Sequence, residues 1–137
     1  MNITISQAQG RVPISVIQVD GKLDSQTYQD LIVKARDLYE AGTRDILIDL
    51  TKLTYISSAG LVALHTIALL LRGESLPDPE HGWASVKSID RGRDAGMQKH
   101  IKLLHPQPEV NSVLEMVGFT QMFEIFSERE KAIQAFG

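Results

Sequence analysis

The chain has 137 residues, 43% of them hydrophobic and 23% charged, which is the balance of an ordinary soluble globular domain built around one core. With no cysteine, disulfides, thiolate metal sites and cysteine nucleophiles are excluded, and the composition fits a reducing compartment. A formal net charge of −3, with no basic cluster, argues against nucleic acid as a partner and for a protein or a small molecule.

The opening stretch, NITISQAQGRVPISVIQV, alternates apolar and polar residues and lacks the basic-then-apolar pattern of a secretory leader. Residues 2–8 and 11–19 are expected to form an antiparallel hairpin that turns at Gln9-Gly10. Pro13 cannot donate to a ladder, so its strand is expected at an edge or with that position turned away from pairing.

A helix should follow VDGKLD, capped by Asp24 or Ser25. Tyr28, Leu31, Ile32, Ala35, Leu38 and Tyr39 recur at helical spacing, and Gly42 stops the helix by permitting a left-handed residue. Residues 44–50, RDILIDL, are short, apolar and rich in isoleucine and leucine, as a buried strand is. With a helix between them, this strand and the one before it should be joined by a parallel crossover.

From Ser58 a helix begins that is apolar on nearly every side, so it must be covered by the sheet and by other elements. Its greasiest run, Leu61 to Leu71, is too short for the ~20 residues of a membrane span, so no direct membrane insertion is expected. Residues 73–98 hold glycines, prolines, mixed charges and no periodicity, and are expected to form a long loop or partly disordered, mobile insertion, with Trp83 the one residue that argues for part of it docking. Residues 100–105 resume as a strand. The following helix has Pro108 near its start, Val110, Val113, Leu114 and Val117 on one face, and Gly118 as its stop. A last strand around Met122–Phe126 leads to a helix with Ser127 and Glu130 at capping-box spacing. The whole, residues 1–137, is expected to be a single α/β domain, a mixed sheet with helices packed against it.

The pair Ser57-Ser58 sits where the buried strand hands over to the buried helix, and three roles compete for it. A serine before a helix is a common N-cap. A nucleophile needs a base and an orienting group, but the order S-S-A-G is not the hydrolase elbow, and His65 lies about two turns further along the same helix. A phosphate would be tolerated, because a helix N-terminus offers free N–H groups and partial positive charge. No phosphate-binding G-x-x-x-x-G-K-[S/T] loop occurs, and no cofactor is expected.

VDGKLD followed by a helix, and then DILIDLTKLTYISSAGLVAL, resemble the STAS domain, the family of anti-sigma-factor antagonists. The resemblance covers almost the whole chain apart from residues 73–98. It implies a sheet of about five strands with four helices, and a cytoplasmic, non-enzymatic role in bacterial transcription regulation. In that role an unphosphorylated antagonist binds a serine-kinase anti-sigma factor, phosphorylation at the start of the second helix ends the binding, and a PP2C-type phosphatase restores it. By this likeness Gly21, Leu23 and Asp24 shape one side of the partner surface, and Ser57, Ser58, Ala59, Gly60 and Leu61 the other. Aligned on Gly60-Leu61, the chain departs from the family's strict pattern. Ala59 stands where the marked serine falls, and Ser57 where an aspartate falls. Ser58 falls where the family's other, usually unmodified serine lies; it is the expected phosphorylation site, with Ser57 the second choice and neither the remaining alternative. The alternative is a phosphorylation-independent scaffold subunit of a transport or stress-sensing complex.

Overall fold

A computed structural model describes residues 1–73 and 97–137. In chain order it runs β1 (Asn2–Gln9), β2 (Pro13–Leu23), α1 (Tyr28–Glu40), β3 (Ile46–Asp49), β4 (Leu53–Ile56) and α2 (Ser58–Leu71). Then come β5 (Ile101–Leu104), α3 (Pro108–Met116), a 3-10 turn at Phe119–Gln121, β6 (Glu124–Phe126) and α4 (Arg129–Gln134). Most of the expected 73–98 insertion, with Trp83, lies outside the described residues. No helix among the described residues is long and apolar enough to cross a membrane.

The strands form one mixed sheet in the order β1-β2-β3-β5-β6. β1 and β2 pair antiparallel from Asn2↔Asp20 to Gln9↔Pro13, and every other pair is parallel. The expected sheet of about five strands has six, because β4 was not read from the sequence. It pairs with the far end of β2, beyond the stretch that pairs with β3. β3 and β4 thus lie end to end along one flank of β2. The step between them is held by Asp49, whose Oδ1 accepts from Thr51 N at 3.0 Å and Thr51 Oγ1 at 2.6 Å.

β2 is longer than the expected 11–19 and sits inside the sheet, not at an edge. Pro13 is accommodated because it is the first residue of the strand, opposite the last residue of β1. Alternation along β2 sends its side chains to two cores. Ile17 and Val19 join the larger one with α1, α2 and α3, where Leu31, Leu64 and Leu114 are fully buried. Ile14 and Val16 join a smaller one with Leu47, Leu104 and, from α4, Ala132 and Ile133, closed by Phe136. On this second face Lys102 is buried, its Nζ 2.8 Å from Glu124 Oε1 and 5.2 Å from the centre of the Phe136 ring.

Helix ends agree with the sequence in two cases. Pro108 opens α3 and Gly118 follows its end; Gly42, at φ 113°, closes α1, donating to Tyr39 O. They differ in two others. The N-cap of α1 is Thr27, not Asp24 or Ser25, since the chain spends Asp24 to Gln26 on a tight turn before helical geometry begins. The N-cap of α4 is Glu128 with no side-chain bond, so Ser127 and Glu130 form no capping box; the helix begins one residue too late for their spacing.

Candidate functional site

The last residues of β2 and β4 carry the chain directly into α1 and α2, so both helices begin beside the same end of a two-stranded parallel ribbon. The ribbon is irregular. Gly21 pairs with Leu53, but Lys22 pairs with Tyr55, leaving Thr54 as an extra residue. Its hydroxyl folds back onto Gly21 O at 3.0 Å. Gly21 has φ 97°, a backbone state that costs a side chain ~1 kcal/mol or more, and this explains the glycine.

Beyond the bulge, Leu23 and Ile56 are buried side by side in register. Leu23 O accepts from Ser57 N at 3.0 Å, so the handover from β4 to α2 is tied to β2 through one peptide group. Asp24 then organises the next turn. Its Oδ1 accepts from Gln26 N at 3.0 Å and from Thr27 Oγ1 at 3.2 Å, while Thr27 Oγ1 accepts from Asp24 N at 2.9 Å. Asp24 is half-buried by this role, and its carboxylate is engaged locally.

The two serines are not equivalent. Ser57 is the N-cap of α2, extended at φ −99° and ψ 178°, and its Oγ accepts from Gly60 N at 3.4 Å. Its carbonyl accepts the first helical bond, from Leu61 N at 3.0 Å. Ser58 occupies the first helical position, is exposed, and makes no side-chain hydrogen bond among the described residues. Ala59 beside it is half-buried. No acidic residue stands in the first turn of α2, so no side chain offsets the positive end of the helix from within that turn.

Gly60 and Leu61 turn inward. A Cβ on Gly60 would stand 2.7 Å from both Leu23 O and Ile56 Cγ1, so the glycine lets the helix lie directly against the β2 backbone. Leu61 is 6% exposed and belongs to the core. The sequence-predicted residues thus divide. Gly21, Leu23, Gly60 and Leu61 shape the scaffold, Asp24 and Ser57 order the two turns, and Ser58 is presented to solvent. The sequence reading missed Tyr55, 43% exposed on β4, and its register partner Lys22, also exposed. The signal for Tyr55 was an aromatic residue in TYISS, immediately before the serines, but recognising it required β4.

His65 is wholly buried and lies about two turns further along α2 than Ser58. Among the described residues no group of three or more histidines and carboxylates is placed to hold a metal.

Comparison with known proteins bears on this architecture at three levels. BtrV of Bordetella bronchiseptica, named as a candidate anti-sigma factor antagonist, is 27% identical over 136 residues, covering 99% of this chain and 95% of BtrV. An anti-sigma factor antagonist from Mycobacterium paratuberculosis superposes with a TM-score of 0.64 at 16% identity, over 98% of this chain and 93% of that one. The Bacillus cell-fate determinant SpoIIAA, in its phosphorylated form, gives 0.54 at 16% identity over 96% of each chain. These structures share the fold. The STAS domain model matches residues 6–74, half of the chain, from β1 through the end of α2, and includes the whole site just described. The chain belongs to the STAS domain family.

Proposed function

We propose that the protein is a non-enzymatic anti-sigma factor antagonist that binds a serine-kinase anti-sigma factor through the surface where α1 and α2 begin. Phosphorylation of Ser58 ends that binding, and a PP2C-type phosphatase reverses the modification. The observation that carries this reading is the division of labour between the serines. Ser57 is occupied as the cap, whereas the Ser58 hydroxyl is exposed, without a hydrogen bond among the described residues, and at the positive end of a helix. A phosphate there adds about −1.5 to −2 charges to the docking surface without opening the core. Lys22, Tyr55 and Ser58 would then meet the partner, while Gly21, Leu23, Asp24, Ser57, Ala59, Gly60 and Leu61 hold them in place. The names of BtrV and of the Mycobacterium structure, and the phosphorylated form of SpoIIAA, support the same reading.

The test is incubation with the cognate kinase and ATP, followed by mapping of the modified residue and titration of the partner. Modification of Ser58, together with at least tenfold weaker binding by Ser58→Asp, is the expected result. Equal binding by Ser58→Asp, Ser58→Ala and the parent chain would refute it. That outcome leaves the second reading, a scaffold subunit that never carries phosphate, which is favoured by Ala59 at the position where the family's strict pattern has its marked serine.

A further inference from the structure

Among the described residues, the sheet has one edge that none of the usual protections covers. β1 is hydrogen-bonded, among the described residues, on one side only, to β2, and its eight residues NITISQAQ include no charge, no proline and no glycine. Its register with β2 runs unbroken from Asn2 to Gln9, so no bulge twists the edge away. The other edges are blunted. β6 has three residues, and β4 has four with a bulge. Short edge strands, bulges, prolines and charges are the devices that stop a sheet from pairing with another chain, and β1 has none of them.

The backbone shows which groups are on offer. Ser15 donates its N–H to Asp45 O, on the β3 side of β2. Alternation therefore turns the N–H and C=O of Ile14, Val16, Gln18 and Asp20 toward β1, where they face Ala8, Ser6, Thr4 and Asn2. The N–H and C=O of Ile3, Ile5 and Gln7 point outward, and among the described residues no hydrogen bond reaches them. Ile5, in the middle of this row, is 37% exposed.

We propose that β1 pairs with β1 of a second copy of this chain, antiparallel about a two-fold axis through Ile5, to form one continuous sheet. Three features select a second copy over a foreign strand. The outward-pointing residues are all odd-numbered, so a register with Ile5 facing Ile5 and Ile3 facing Gln7 brings donors and acceptors together on both strands at once. The same residues have their side chains on the face of the larger core, where Ile3 already packs, so the two-fold places both layers of large helices on one side. Finally, the strand has no charge to repel its own copy, and like charges directly opposite are what most disfavour self-pairing.

Sedimentation equilibrium of the full chain over a wide concentration range tests this. The weight-average mass should rise from 15.2 kDa toward twice that value, and Ile5→Lys, which sets two ammonium groups face to face, should hold it at the monomer. A monomer at every concentration, or a dimer that survives Ile5→Lys in a folded variant, would overturn the proposal. Because the chain has no cysteine, Ile5→Cys gives a second reading that does not depend on how well the lysine variant folds. Oxidation should link it to a covalent dimer many times faster than Gln9→Cys, whose two copies would stand roughly 27 Å apart along the strands. Equal rates would mean random collision and would also overturn the pairing.

Discussion

Gly60→Ala sets two physical effects against each other, and the structure decides between them. Gly60 has ordinary helical backbone within α2, so helix propensity alone predicts that alanine stabilises the chain by ~1 kcal/mol. The new methyl, however, would stand 2.7 Å from Leu23 O, 2.7 Å from Ile56 Cγ1 and 3.0 Å from Leu23 Cγ. Normal contact is about 3.5–4.0 Å, so each neighbour must retreat by roughly an ångström. Ile56 can rotate, but Leu23 O is fixed by the bond from Ser57 N and cannot move without pulling the cap with it. Overpacking of this kind costs about 1–3 kcal/mol, and against a backbone oxygen the upper part of that range applies. The net expectation is a loss of about 1–2 kcal/mol, or a melting temperature lower by roughly 3–8 °C. Urea unfolding with an unchanged m-value would report it as a shift in midpoint. A Gly60→Ala chain as stable as the parent, or more so, would refute the steric account and leave helix propensity in command.

Five further substitutions, in three sets, separate the roles of individual side chains. Ser57→Ala should cost about 0.5–1 kcal/mol through loss of the cap, at the low end because the bond is 3.4 Å long, while exposed Ser58→Ala should stay within about 0.5 kcal/mol of the parent; equal losses in thermal melts would contradict the division of the serines. Asp24→Ala removes the acceptor for Gln26 N, while Thr27 Oγ1 keeps its shorter bond to Lys22 O, and should cost about 0.5–1 kcal/mol in urea unfolding even with no partner present; an unchanged midpoint would refute the structural role of the carboxylate. Glu124→Ala leaves the Lys102 ammonium buried without its carboxylate and should cost about 1–3 kcal/mol, less than for a fully buried pair because the Glu124 side chain is 45% exposed, whereas Lys102→Met should be close to neutral; the reverse order in melting temperature would refute this.

The general plan was legible because the longer elements announce themselves. α1, β3, α2, β5 and α3 each have the period, caps or β-branched run that their environment demands. β4 was not, and the bulge explains why. In LTYI the buried residues are Leu53 and Ile56, three apart, with Thr54 and Tyr55 both exposed between them. An extra residue in a strand breaks the alternation by which strands are recognised. The same irregularity hid the end of β2, where Asp20-Gly21-Lys22 has the composition of a turn but continues the ladder. Asp24 misled for a related reason. Its side chain caps a turn, as expected of aspartate, but the turn is the one before the helix. In the site, the motif residues were readable and their roles were not, because whether a serine caps a helix or faces solvent depends on one residue of phase.

Leu23 is the common reference of the turns into α1 and α2. Its carbonyl receives the start of α2, its side chain and oxygen limit what Gly60 can become, and the next residue, Asp24, begins the turn into α1. The two loops therefore cannot be rewritten one at a time. A lineage adapting this chain to a new partner would find that changes in Leu23-Asp24 alter which changes at Ser57 through Gly60 are tolerated, so grafting one loop from a relative should fail where grafting both succeeds.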